Sequence, residues 1–346
     1  MPSPPTKEQR LDSEPNSKYL YRPGELVWFN KSTGTWGLAV ISMRQLIDGK
    51  PSYRIQPLSH PLFHPPAEIK DREEDLRPWL AWSVPSLGNT LLQNARYDQV
   101  PWERIINDYP SDPVVDGSIL AAGSIDASYS LFEEDKTALS NEGEKLYRGI
   151  YLGGEKIWVG EPVRLNAAQD NEILVLVIKK IIEHQSKSPS TSDVILSGDV
   201  WKFTKMPTPI ENRDIPARMI EDLNFRNEVE HAAQTGLWSE WRISEPNAKK
   251  ELKDIKGRWY ETKSLLPILR GKEHFYADLA KGVAGDSGMW MNARGGQNVG
   301  NGFKYEDRES TFNRAVPPGF KVSRGLDDPA PAHASEFMEI DPVLHH

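Results

Sequence analysis

The sequence predicts a mainly β fold with some short helices, arranged as two small, strongly bent β-barrel modules. Two stretches, 22–58 and 155–203, consist of short β-branched and aromatic runs separated by turn residues. Each carries a glycine followed by an acid: Gly24-Glu25 in the first, Gly160-Glu161 and Gly198-Asp199 in the second. The composition agrees. Eleven Trp, 11 Tyr and 10 Phe suffice for real cores, while 27 Pro, 25 Gly and 27% charged residues point to a loop-rich chain. Barrels of this kind serve binding more often than chemistry, so the duplication favours an interaction module.

The 346 residues allow two domains or one large one. Residues 1–17 are polar and proline-containing and read as a disordered arm. The first module, with its extension, spans 18–110. Pro23-Gly24 turns the chain into a strand at Leu26–Phe29, and Ser32–Thr35 is a hairpin connection. Trp36–Met43 is apolar on both faces and reads as a strand buried on both sides. Asp48-Gly49-Lys50 is a second turn, and Tyr53–Pro57 alternates as a half-wet strand. After a proline-rich stretch, Pro101 is placed to open a helix at Trp102–Asn107.

Residues 111–140, small and polar with Pro and Gly, read as a linker or long loop. The second module spans 141–284. Its strongest core strand is Ile173–Ile182, followed by a flexible loop at 185–193 and a strand at Val194–Phe203. Pro216 can start a helix that ends at Gly236. Trp238–Ile243 and Arg258–Glu261 read as strands, and Lys272–Lys281 as a helix. Residues 285–324 are glycine-rich and irregular, and 325–346 form an acidic disordered tail.

Net charge is −8 but unevenly spread. Between Lys249 and Arg324 there are 15 Lys and Arg against 9 Asp and Glu. Read sharply, this is a basic face centred on Lys249, Lys250, Lys253, Lys256 and Arg258, suited to phosphate contact; read plainly, it is ordinary solvated surface. Cysteine is absent, which excludes disulfides and thiolate metal sites and fits a reducing compartment. No apolar run approaches a membrane span, so no membrane association is expected.

Motifs for chemistry fail on context. Gly285-Asp286-Ser287-Gly288 has the form of a serine-protease nucleophile turn, but no base histidine stands in a matching context. His60 and His64 have a zinc-like i,i+4 spacing, yet Pro61, Pro65 and Pro66 forbid the helix it needs. The glycine-rich run Arg294–Gly300 follows no strand and opens no apolar helix. No enzyme, metal or cofactor is expected. The aromatics near the barrel mouths are better candidates. Trp28, Phe29, Trp36 and Tyr53 could form a cage for a methylated lysine or simply fill a small core, and Trp158, Trp201 and Phe203 pose the same choice.

Three resemblances add to this. Pro23–Trp28 followed by Trp36–Ile41 is similar to the entry of PWWP or Tudor-type chromatin barrels, an SH3-like architecture; Thr35-Trp36-Gly37-Leu38 stands where PWWP proteins carry Pro-Trp-Trp-Pro. Lys156–Leu165 followed by Val175–Ile182 resembles a bromo-adjacent homology (BAH) domain. More specifically, Tyr147–Trp158, Gly236–Trp241 and Ile255–Tyr260 resemble the fungal cryptic loci regulator 2 family of transcription-silencing proteins, over about residues 141–275. That resemblance implies a nuclear, non-catalytic scaffold in a deacetylase and remodeller assembly of heterochromatin. The implied partners are the other subunits of that assembly, with histone tails, nucleosomes or DNA as further candidates. The alternatives are a methyl-lysine reader and a pure protein–protein adaptor.

Overall fold

The structure, a computed structural model, describes residues 4–15, 19–31, 34–107, 112–137, 143–167, 172–184, 193–208, 215–294 and 302–323. It is mainly β, as the sequence predicts. A short helix α1 (Lys7–Ser13) precedes a five-stranded sheet made of β1 (Leu26–Asn30), β2 (Trp36–Ile47), β3 (Lys50–Pro57), β4 (Glu68–Lys70) and β5 (Leu76–Pro78). Its order is β4-β3-β2-β1-β5. The Asp48-Gly49 turn between β2 and β3 places both residues at positive φ, the hairpin geometry that this dipeptide favours.

Helices α2 (Trp102–Asn107) and α3 (Pro113–Asp126) lead into the second sheet. Its strands are β6 (Ser128–Glu134), β7 (Glu144–Leu152), β8 (Glu155–Trp158), β9 (Pro162–Leu165), β10 (Leu174–His184) and β11 (Asp193–Met206). After helix α4 (Ala217–Ala232) come β12 (Trp238–Glu251), β13 (Ile255–Arg258), helices α5 (Thr262–Arg270) and α6 (Lys272–Leu279), and finally β14 (Phe303–Tyr305). The main path is β12-β11-β10-β7-β6-β14, with β8 on β7, β9 on β10 and β13 on β9. Neither sheet closes on itself among the described residues, so the expected barrels are open sheets.

Several sequence expectations are corrected. The arm at 1–17 contains α1, capped by Thr6 and ordered because Glu8 and Asp12 find buried cations. The linker at 111–140 holds α3 and β6. Asp112 caps α3 by accepting from the Val114 and Val115 N–H groups, and Ile119, Ala122 and Ile125 are buried against the first sheet. The irregular segment at 285–324 contributes β14, parallel to β6, and buries Phe312 and Ala315 in the first core. Arg258 closes β13 where a strand from Arg258 to Glu261 was expected, and α5 forms despite Pro267. The hairpin residues 32–33, most of the 185–193 loop and the acidic tail lie outside the described residues.

The first core joins the two halves of the sequence: Val40, Ile41 and Trp79 share it with Tyr260, Leu265 and Phe312. The second lies within the second sheet around Ile157, Leu176, Ile178 and Leu196. A third sits under α4, where Trp201, Met219, Trp241 and Trp259 meet.

Gly198 makes one close approach. β10 bulges between Ile178 and Lys180, and a Cβ at Gly198 would lie 1.9 Å from the Val177 carbonyl oxygen. Gly198→Ala is therefore expected to destabilise the chain by about 1–3 kcal/mol. A thermal midpoint within a degree of wild type would show that the bulge relaxes freely.

Candidate partner-binding surface and a buried ion cluster

Two of the three glycine–acid steps noted in the sequence, Gly24-Glu25 and Gly160-Glu161, turn out to be copies of one local device. In Arg22-Pro23-Gly24-Glu25 the Glu25 N–H donates to the Arg22 carbonyl (3.0 Å), and the Glu25 carboxylate accepts the Arg22 N–H (2.9 Å). In Trp158-Val159-Gly160-Glu161 the corresponding bonds are 3.3 and 3.0 Å. Gly24 and Gly160 supply the positive φ that both turns need. Each turn buries a carboxylate. Tertiary packing then brings the two turns face to face across Arg22, whose guanidinium donates two hydrogen bonds to Glu161, at 2.6 and 2.7 Å.

Around this pair grows a buried ion cluster. Arg258 pairs with Glu25 (3.3 Å), and Arg218 donates to Glu161 (3.2 Å) and Glu261 (2.6 Å). From α1, Asp12 meets Arg44 at 2.5 Å and accepts the Trp158 indole N–H at 2.7 Å, while Glu8 pairs with Lys156. Burial alone would raise the Asp12 carboxyl, but Arg22, Arg44 and Lys156 outweigh it and hold Asp12 well below the usual carboxylate range. Glu161 is likewise lowered: Arg22 and Arg218 overcome its burial. Glu8 goes the other way, because burial exceeds what Lys156 returns. Every charge here has a protein partner, so the cluster reads as structure joining the two sheets and α4.

The first set of candidate aromatics splits. Tyr53 is buried away from the others, donating to Glu73 (2.7 Å) beside Tyr19 and Tyr21. Trp28 stacks on Trp79, and its indole donates to the Trp79 carbonyl (2.9 Å). Trp28, Phe29 and Trp36 line a groove of about 140 Å³ together with Pro57, Pro65 and Val115. The ring faces nearby already hold the chain's own cations: Arg77 lies 5.2 Å from the Trp36 centroid and Lys70 lies 5.3 Å from that of Phe29. A cationic ligand entering here would meet like charge.

The second set is core. Trp158 and Trp201 are buried, and half-buried Phe203 packs edge-on against Trp241 under Arg226. The basic face is thinner than its sequence. Lys249 is exposed, Lys250 pairs with Glu245 (2.7 Å), Lys253 pairs with Glu251 (2.7 Å), and Lys256 is half-buried. Arg258 leaves the face altogether: at 2% exposure it serves Glu25 and the Leu20 carbonyl and cannot reach a phosphate. Asp286 pairs with Arg226 and Ser287 donates to the Tyr260 carbonyl, so the Gly285–Gly288 turn is structural. His60 stacks on Trp102, and among the described residues no group of three or more acidic or His side chains could hold a metal. None of the described helices is long and apolar enough to cross a membrane.

One surface was not anticipated. β12 is the outer strand of the second sheet, hydrogen-bonded to β11 on one side. At its start, Asn227 of α4 imitates a neighbouring strand, accepting the Ser239 N–H (2.7 Å) and donating to the Ser239 carbonyl (3.2 Å). Beside this closure lies a cavity of about 350 Å³ lined by Glu230, His231, Gly236, Leu237 and Trp238. Leu237 and Trp238 are 40% and 37% exposed, and Ile243 farther along the strand is 49% exposed. An apolar patch beside the outer strand of a sheet is suited to an extended peptide. The phrase Gly236-Leu237-Trp238 held the signal, since a large apolar pair directly after a helix-ending glycine has no core of its own to enter.

Fold and site thus define a mainly β protein in which a buried ion cluster joins two sheets and an apolar patch lies along an outer strand. Residues 146–261, from β7 to just past β13, match the family model of the transcription-silencing protein Clr2. The resemblance read from the sequence therefore holds. Among solved structures, one titled "Structure of Clr2 bound to the Clr1 C-terminus" is similar in fold, with a TM-score of 0.50 and 15% identity. The likeness covers 91% of this chain and 61% of that one, so the chain spans about three fifths of its length. Among curated proteins nothing matches.

Proposed function

We propose that this chain is a non-catalytic subunit of a nuclear transcription-silencing assembly on chromatin and that it acts by holding a partner's extended segment. The match of residues 146–261 to the Clr2 family carries the reading. The fold likeness to a Clr2 bound to the Clr1 C-terminus supports a peptide-like partner. The α4–β12 patch is the part of the matched segment that fits one, with Leu237 and Trp238 as anchors beside the sheet's outer strand. Trp238→Ala with Leu237→Asp should lower affinity for a Clr1-type C-terminal segment at least tenfold in a titration, with the thermal midpoint nearly unchanged because both side chains are partly solvated. Undiminished binding by the double variant would remove this surface from the reading.

The other functions are weaker. A methyl-lysine reader would use the Trp28–Trp36 groove, where Arg77 and Lys70 oppose a cation; a histone-peptide array with Trp36→Ala as control decides it. Nucleosome or DNA contact would rest on Lys249 and Lys253. Reversing both charges should then reduce the salt slope of binding by about 2.

A further inference from the structure

The seat of α1 has the chemistry of a receptor. The body of the protein supplies two buried cations, Arg44 from β2 and Lys156 from β8, and among the described residues the carboxylates within ion-pair distance of them are Asp12 and Glu8 respectively. Aromatic faces complete the lining: Tyr19 under Arg44 (4.7 Å), and Trp158 and Phe132 near Lys156 (5.0 and 5.3 Å). The body also grips the α1 backbone. Arg22 and Arg218 donate to the Asp12 carbonyl (2.8 and 3.4 Å), and Arg148 donates to the Pro4 carbonyl (2.6 Å). In return Gln9 donates to the Val159 carbonyl (3.0 Å). A cavity of about 260 Å³ borders the Glu8–Lys156 pair.

Glu8 and Asp12 stand one helical turn apart, on one face. A helix of seven residues cannot persist alone in water, so the order of α1 derives from its seat. We propose that the seat is a separable binding site for a short acidic helix carrying two carboxylates at i and i+4, and that residues 4–15 are its resident ligand. The bound helix touches β2, β8 and α4 at once, so occupancy of the seat clasps the two sheets together. A tethered ligand has a high effective concentration, which keeps the seat filled until the tether is cut or a competing acidic helix is abundant. The site is separate from the α4–β12 patch and stands whether or not that patch binds a partner.

The test uses the full chain with a specific protease site inserted between Pro15 and Tyr19, cut after folding. A fluorescent synthetic peptide of residues 4–15 should exchange into the cut protein with saturable binding, and the uncut chain should take up none. The same peptide with Asp12→Asn should bind at least tenfold more weakly. Equal binding of the wild-type and Asp12→Asn peptides would overturn the proposal. So would a cut protein that keeps its near-ultraviolet circular dichroism yet takes up no peptide. Loss of that signal on cutting, unrestored by excess peptide, would equally overturn it, since α1 would then be core and not ligand.

Discussion

Asp12→Ala is expected to lower the stability of the folded chain by about 3–5 kcal/mol, an effect out of proportion to a residue in a polar, proline-flanked N-terminus. The carboxylate is fully buried and faces Arg44 and the Trp158 indole, with Arg22 at 3.9 Å. Removing it leaves the Arg44 guanidinium buried without the counter-ion that its position requires. Urea denaturation at pH 7 measures the loss, and a change under about 1 kcal/mol would mean that water reaches Arg44 and replaces the carboxylate.

A pH dependence follows from the same group. The folded protein holds Asp12 below its unfolded value of about 3.9, so its contribution is fully present above that pH and is lost as pH falls toward the folded value. Glu161 acts in the same direction and Glu8 in the opposite one, its raised carboxyl being a cost at neutral pH that protonation relieves. Between pH 5 and 2.5, wild type should lose stability more steeply than Asp12→Asn. Parallel curves would show that other carboxylates dominate acid unfolding.

Trp158→Ala should be of similar size, about 3–5 kcal/mol, since it empties a fully buried indole site. The ring packs edge-on against Phe132 (4.8 Å between centroids), lies beside Lys156 and donates to Asp12. Trp158→Phe keeps much of the packing and removes the hydrogen bond, so it separates the two parts. Because Trp158 and Asp12 touch, their substitutions should not add: a double-mutant cycle should give a coupling of about 0.5–3 kcal/mol. Full additivity would place the two residues in independent environments.

Much of the fold was legible in the sequence because its signals are local. The β-branched run at 173–182, the Asp48-Gly49 turn and the Pro101 and Pro216 helix starts act within a few residues of themselves. α3 was not legible, because Gly117, Ala121 and Gly123 look like linker composition until an apolar core lies beside the helix. Nor was the role of Arg258: its neighbours Lys253 and Lys256 share its charge, and only the docking of Glu25 and Tyr260 takes it out of water. The aromatic candidates divided for the same reason. Tyr53 and Trp158 went to buried hydroxyl and indole hydrogen bonds, and Trp36 stayed at a groove.

The sequence by itself determined a mainly β chain, the segment that matches the Clr2 family model and the two glycine–glutamate turns, all of which depend on backbone propensities and short spacings. The tertiary structure alone decided what those turns are for. A buried carboxylate needs a cation, and which cation it receives depends on distant residues: Arg22 for Glu161 and Lys156 for Glu8, each pair more than a hundred positions apart, and Arg44 for Asp12, nearer in sequence, the last two serving a helix that composition alone reads as a disordered arm. Burial makes those pairings costly to leave unmade, and no local rule in the chain specifies them.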